Sequence, residues 1–261
     1  MRNPDPRDGL AWNEIERNYA TLVKGMDDSL GAVRAFLRAH GIERETLVVF
    51  MADNGGLSVI DRPWASNEPL RAGKGSCYEG GVREPCIVSW PGHVPAGRVT
   101  DEPVIIEDFF PTLLDAAGIA GTGPLAETPA GVFADGPLRQ VVDGESFLAV
   151  ATGERETVRP TGEARALLWH YPHCWCEGLD ARDYNFYTAL RLGKWKLIYQ
   201  HADGSFELYD LEADPGEQHD LAARHPGIVA TLRRVMGRLL RERGAQMPVV
   251  EATGKPVPWP D

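Results

Sequence analysis

Asp53-Asn54-Gly55-Gly56 is the run of residues best suited to chemistry in this chain. It follows directly on Thr46-Leu47-Val48-Val49-Phe50-Met51-Ala52, a continuous apolar stretch. An Asp–Asn pair offers oxygen ligands only, which suits a hard cation such as Ca2+ or Mg2+. The glycines let the backbone turn sharply and approach a ligand closely. The competing reading is an Asx turn, because Asp-Asn-Gly is also ordinary turn chemistry. A pair of residues cannot fill the six or more positions of a calcium site, so any ion here needs further ligands.

Leu70-Arg71-Ala72-Gly73-Lys74-Gly75-Ser76 is the second candidate. A lysine between glycines can hold an anion with its ammonium and nearby backbone N–H groups. The competing reading is a solvated lysine. The run is not a P-loop, because Glu68 stands where that motif needs its first glycine. In Tyr78-Glu79-Gly80-Gly81-Val82-Arg83-Glu84-Pro85, Glu79 and Arg83 are spaced to pair and brace the loop. His170-Tyr171-Pro172-His173-Cys174-Trp175-Cys176 packs histidines and cysteines closely, but the spacing fits no zinc motif. The histidines are expected at a strand end, facing a cleft or a polar partner.

These residues need elements to position them. The chain has 261 residues, 43% of them hydrophobic, enough for a sizeable core. It carries 27 Lys+Arg against 38 Asp+Glu, a net charge of −11, and no basic run, which disfavours nucleic acid. No apolar stretch reaches the ~18 residues of a membrane span. The four cysteines are too sparse for a disulfide framework. The N-terminus has no apolar core of a signal peptide.

Apolar residues at helical spacing predict a helix over about Trp12–His40, with Gly41 as its cap. The apolar run at 46–52 predicts a parallel strand buried on both faces. Pro85–Trp90 reads as a strand. Val104–Ala117 reads as a helix, with Pro111 marking its true start or a kink. A Gly/Pro-rich stretch, about 121–160, holds the expected domain boundary. Beyond it, Leu167–His170, Tyr187–Arg191, Trp195–Tyr199 and Phe206–Asp210 read as antiparallel strands, and Pro226–Arg243 as a closing helix. The proline-rich tail from Met247 is expected to lie extended on the surface.

Singly these signals are weak, but their order is specific. Asp53-Asn54-Gly55, Gly73-Lys74-Gly75, Glu79-Gly80-Gly81-Val82-Arg83-x-Pro85, Trp90-Pro91-Gly92 and Asp108-Phe109-Phe110-Pro111-Thr112-Leu113-Leu114 follow one another. Then come Asp143-Gly144-Glu145-Ser146, Ala189-Leu190-Arg191-x-Gly193-Lys194-Trp195-Lys196-Leu197 and Glu207-Leu208-Tyr209-Asp210-Leu211-x-x-Asp214-Pro215-x-Glu217. Together they resemble the formylglycine-dependent sulfatases, relatives of alkaline phosphatase, from about Tyr19 to Pro226. The His-Tyr-Pro-His segment resembles bacterial members that act on polysaccharides, and N-acetylgalactosamine-6-sulfatase-like members.

The resemblance implies an α/β fold. A partial mixed sheet covered by helices occupies residues 1–145. A small α+β domain with an antiparallel sheet, a C-terminal helix and a Pro-rich tail occupies 146–261. It implies hydrolysis of a sulfuric ester by a hydrated formylglycine, with Ca2+ and lysines on the sulfate oxygens. Asp53 and Asn54 match two calcium ligands, and Lys74 matches the lysine that contacts sulfate. Arg71, His170 and His173 are the substrate-binding candidates. The nucleophile is missing, since no Cys/Ser-x-Pro-x-Arg run occurs, and so is the Asp pair that completes the calcium site. The chain therefore reads as the C-terminal half of a sulfatase, inactive alone. A sulfated carbohydrate or aryl sulfate is its implied substrate, and the missing N-terminal half an implied partner. Neither nucleic acid nor membrane is expected. The truncated sheet is expected to expose an apolar edge. The alternatives are a phosphodiesterase or phosphonate hydrolase of the same superfamily, or a non-catalytic remnant that binds sulfated glycan. The compartment is undetermined, though family members are often exported.

Overall fold

The computed structural model describes residues 13–58, 65–119, 142–174 and 181–261, the side chains of 181 and 182 excepted. Trp12, most of the expected boundary stretch, Trp175 and Cys176 lie outside them. In chain order the elements are α1 Glu14–Ala39, β1 Val48–Met51, α2 Glu79–Val82, β2 Cys86–Ser89, α3 Phe109–Ala116 and α4 Leu148–Thr152. There follow β3 Ala166–Tyr171, α5 Ala181–Tyr184, β4 Tyr187–Leu192, β5 Trp195–Gln200, β6 Phe206–Asp210, α6 Pro226–Glu242, β7 Val249–Val250 and β8 Lys255–Pro256. The fold is α/β with an antiparallel sheet and a C-terminal helix, as the sequence implies. No helix of the described residues is long and apolar enough to cross a membrane.

Both ends of α1 are closed by local bonds. At the start, the Asn13 and Glu16 side chains each accept the other's backbone N–H, at 2.9 and 2.6 Å, a capping box. At the end, Gly41 takes φ +68°, and the N–H groups of Gly41 and Ile42 return to Arg38 O and Leu37 O. The apolar stripe forms as expected but is largely uncovered: Ile15, Leu22, Val23, Met26, Val33 and Phe36 are all exposed.

The chain divides into two compact units that interleave in sequence. The first takes 1–36, 51–86 and 166–261. Its centre is the antiparallel sheet β3-β4-β5-β6. Side chains alternate across a sheet, so neighbouring residues face opposite ways. Leu190, Leu197, Tyr199 and Leu208 pack against Leu232, Met236 and Leu240 of α6. Ala189, Ile198 and Tyr209, from the same strands, pack on the opposite face against Cys77 and Tyr78. Both faces are thus covered, one by a helix and the other by the glycine-rich loop. The tail from Met247, expected to lie extended on the surface, is exposed over 249–256, but it folds there into the β7-β8 hairpin and is anchored beyond it. Tyr199 Oη donates to Pro258 O at 2.9 Å, Val257 is buried in the α6 cluster, and Arg241 lies over the Trp259 ring. Prolines set an extended backbone, but an apolar residue and an aromatic still find the core.

The second unit takes 37–50 and 87–165. Strands β1 and β2 form a two-stranded sheet. Every residue of β1 is only half-buried, against the expectation of a strand covered on both faces. Pro111 falls in the first turn of α3, where no N–H is needed, so it marks the helix start rather than a kink. Phe147, Val150 and Val158 form the core with Val88, Val104 and Phe109. The buried Asp108 carboxylate accepts from the backbone N–H of Ile105 at 2.8 Å and of Glu145 at 2.9 Å, and pairs with Arg165 through both oxygens.

Candidate functional site

Asp53 and Asn54 follow β1 and enter a knot of main chain. Gly55 N–H donates to Gly81 O at 3.2 Å, and Lys74 N–H donates to Gly56 O at 3.1 Å. Such contacts need glycine: a Cβ on Gly55 would sit 1.7 Å from Gly80 O, and one on Gly73 would sit 2.2 Å from Gly56 O. The cation candidate and the anion candidate are therefore two loops packed backbone to backbone. Asp53 and Lys74 are exposed, and Asn54 is half-buried with its amide Nδ2 donating to Gly55 O at 3.1 Å.

The donor set fits a hard cation in part. Asp53 and Asn54 offer oxygens. Glu84 Oε1 is buried with no hydrogen-bond partner. Burial and the Asp53 charge both push the Glu84 carboxyl up. Two mutually repelling carboxylates would be relieved by a cation between them. Among the described residues, no group of three or more His, Cys, Asp and Glu forms a complete cage.

The Lys74 loop is anchored from below by buried charge. Lys196 Nζ lies 2.9 Å from Glu79 of α2 and 2.9 Å from Glu217. The second Glu217 oxygen accepts Glu79 N–H at 2.6 Å. Burial alone would depress the Lys196 ammonium, but Glu217 and Glu79 outweigh it and hold it above its ordinary value. The expected Glu79–Arg83 pair is present but looser, at 3.8 Å. Tyr78, also buried, donates to Glu207 at 2.6 Å.

Arg71 is held by partners within the chain. It lies 3.7 Å from the Tyr78 ring centroid and donates to Tyr209 Oη, Glu217 O and Asp183 Oδ1 at 3.1, 3.3 and 2.9 Å. His170 and His173 are not brought together. Strand alternation turns His170 toward the α6 face, away from the Lys74 loop. Both its ring nitrogens are engaged, Nδ1 with Thr188 Oγ1 at 2.8 Å and Nε2 with Gln246 O at 2.9 Å. His173 is exposed, and its ring packs edge-on against Tyr171 with centroids 5.6 Å apart. Tyr171 stacks on Tyr187, whose hydroxyl donates to Gly75 O at 3.2 Å. So His173 shares the Lys74 face of the sheet through two rings, and His170 does not.

Three supporting residues are given no role by the sequence reading, although Lys196 and Glu217 stand within its motifs. Asn67 bonds to Gly56 and Ala72 through its carboxamide. Lys196 and Glu217 form the buried anchor. A lysine between Trp195 and Leu197 was the available signal, since alternation puts it on a covered face. Its partner Glu79 lies 117 residues away, and no local pattern reveals that.

The Sulfatase family model matches residues 5–119, and the model for the C-terminal region of N-sulphoglucosamine sulphohydrolase matches 73–243. A sulfatase of Formosa agariphila is 34% identical over 85% of this chain. The N-acetylgalactosamine-6-sulfatase of Canis lupus familiaris is 30% identical over 83% of it. This chain spans 37% and 41% of the lengths of those two relatives. The crystal structure of Ps i-CgsB in complex with k-i-k-neocarrahexaose superposes with a TM-score of 0.67 at 28% identity, covering 90% of this chain and 44% of that one. Two models that overlap on the Lys74 loop and together run from residue 5 to residue 243 place the chain in the sulfatase family.

Proposed function

We propose that this chain supplies cation- and sulfate-holding loops of a sulfuric ester hydrolase acting on a sulfated sugar. In this reading residues 1–145 belong to the α/β catalytic domain and 146–261 form the small C-terminal domain. The observation that carries it is the Lys74 N–H bond to Gly56 O, which sets the lysine beside the Asp53-Asn54 loop. Asp53 and Asn54 would hold part of a Ca2+ shell, and the ion would supply Lewis-acid stabilisation of sulfate oxygens. The Lys74 ammonium neutralises an oxyanion from the adjoining loop, a fixed charge where negative charge gathers. His173 is the proposed sugar contact. Arg71 and His170 act behind it, by pinning the elements that carry the site. The 261 residues hold no Cys/Ser-x-Pro-x-Arg run, so the group that attacks sulfur is not assigned to them, and negligible aryl sulfate turnover by this chain alone is expected.

Calorimetric titration of the chain with sodium sulfate, with and without CaCl2, tests the reading. Sulfate binding that Ca2+ strengthens, and that Lys74→Ala and Asp53→Ala each weaken about tenfold, is the expected result. Equal sulfate affinity in wild type and Lys74→Ala would sink it. A clear preference for phosphate over sulfate would favour the phosphoester alternative instead.

A further inference from the structure

We propose that Asn67 is a positioning residue that locks the Asp53-Asn54 loop and the Lys74 loop into one geometry. The inference rests on the sulfate-ester reading for what the two loops hold. Asn67 Oδ1 accepts Gly56 N–H at 2.9 Å. Its Nδ2 donates to Gly56 O at 2.8 Å and to Ala72 O at 2.9 Å. Both amide hydrogens are therefore used, and the orientation is fixed. A flipped amide would set oxygen against two carbonyls and N–H against N–H.

The Gly56 carbonyl is the shared point. It accepts from Asn67 and from Lys74 N–H at 3.1 Å. Asn67 thus ties together a residue two positions after Asn54 and a residue two positions before Lys74. The loops leave it little room: a Cβ on Gly73 would come within 2.5 Å of Asn67 Nδ2. Asp53 and Lys74 are themselves exposed, so only their backbones can be held in advance. Holding them is what lets two charges act on one oxyanion without rearrangement, because displacements near 1 Å are costly in such sites.

Backbone hydrogen exchange on the 261-residue chain tests the clamp without any ligand. Asn67→Ala should speed exchange at the Gly56 and Lys74 amides about tenfold, the factor that corresponds to about 1.4 kcal/mol of lost bonding. The amides of β4, β5 and β6 should keep their wild-type rates. Asn67→Asp retains the acceptor for Gly56 N–H but turns a carboxylate oxygen toward two carbonyls, so Lys74 should open while Gly56 stays protected. Unchanged rates at both amides in Asn67→Ala would overturn the proposal. So would a general loss of protection across the sheet in both variants, which would make Asn67 a residue of overall stability. A second arm reads the ligand groups. In wild type CaCl2 should tighten sulfate binding, and in Asn67→Ala each should still bind while that mutual effect is lost. Retention of the mutual effect overturns the positioning role. A wild-type chain that binds neither ion refutes the sulfate-ester reading alone, and the exchange arm still decides the clamp.

Discussion

Lys196 and Glu79 meet at 2.9 Å with neither side chain in contact with bulk water. The pair joins the middle of the small sheet to α2, the single turn that directly follows the Lys74 loop. Glu217 adds a third charge at 2.9 Å from Lys196, and Arg191 and Arg83 each lie 3.8 Å from Glu79. Buried ion clusters contribute little net stability, because desolvation offsets their attraction. They do fix position, since a shifted partner leaves a bare charge in the interior. The sheet therefore does more than fill a core. It sets the height at which the Lys74 loop stands.

Lys196→Met should destabilise the chain by about 3–5 kcal/mol, because it leaves buried Glu217 without its ion partner and Glu79 with only the looser Arg83 and Arg191, each 3.8 Å away. Adding Glu79→Gln and Glu217→Gln to the same background should recover most of that loss. Urea unfolding followed by tryptophan fluorescence measures both. A loss below about 1 kcal/mol in the single variant would mean that water reaches the cluster and that it anchors nothing.

Gly55→Ala should be more disruptive than a surface glycine change. Its Cβ would meet Gly80 O at 1.7 Å, so main chain must move, at about 1–3 kcal/mol. Gly41→Ala is the contrast. Nothing lies within 4 Å of a Cβ there, and only the φ of +68° opposes it, at about 1 kcal/mol. Gly55→Ala should also weaken sulfate binding, whereas Gly41→Ala should not. Equal effects from the two would show that the loops are not packed backbone to backbone.

Much of this architecture is legible in the residues alone. Trp195–Tyr199 is expected as a strand and β5 is Trp195–Gln200, because alternation and the Gly193-Lys194 turn agree. Asp53, Asn54 and Lys74 are ordinary turn and surface residues taken singly, and they stand out through the order of the motifs that contain them. Asn67 does not, since Asn before Glu-Pro reads as a turn residue, and only the fold brings Gly56 to it. The β1 run reads as buried on both faces, yet it is half-exposed, because apolar content reports what a strand prefers and not what covers it. His170 and His173 are close in sequence and look like a pair. A period of two separates the sheet faces, and the chain that carries His173 has already left the strand.

Asp108→Asn should cost the second unit about 3–5 kcal/mol. The carboxylate receives Arg165 Nη1 at 2.6 Å while two backbone N–H groups use its other lone pairs. An amide keeps some acceptor capacity but sets N–H groups against donors and leaves Arg165, itself buried, without its counter-charge. Unfolding of this unit should then precede that of the sheet. Proteolysis under native conditions checks the order, with early cleavage expected within 87–165.

His170, Thr188 and His201 form a hydrogen-bonded chain that should make the fold sensitive to acid. Gln246 O can only accept, so His170 Nε2 carries the hydrogen between them, and His170 Nδ1 accepts from Thr188 O–H. Thr188 Oγ1 then accepts from His201 Nε2–H at 2.8 Å. That leaves His201 Nδ1 unprotonated and buried without a partner. Burial and the nearby His170 lower the His201 pKa from 6.5 to about 4. Between those values the unfolded chain binds a proton that the folded chain does not, so stability rises with pH across the window and is lost as pH falls. At about 1.4 kcal/mol per pH unit, the window is worth roughly 3 kcal/mol. His201→Gln keeps an N–H for Thr188 but cannot titrate. Its stability relative to wild type should therefore improve steadily from neutral pH down to about 4. Urea midpoints measured for both proteins across that range decide it, and parallel curves would show that folding does not lower the His201 pKa.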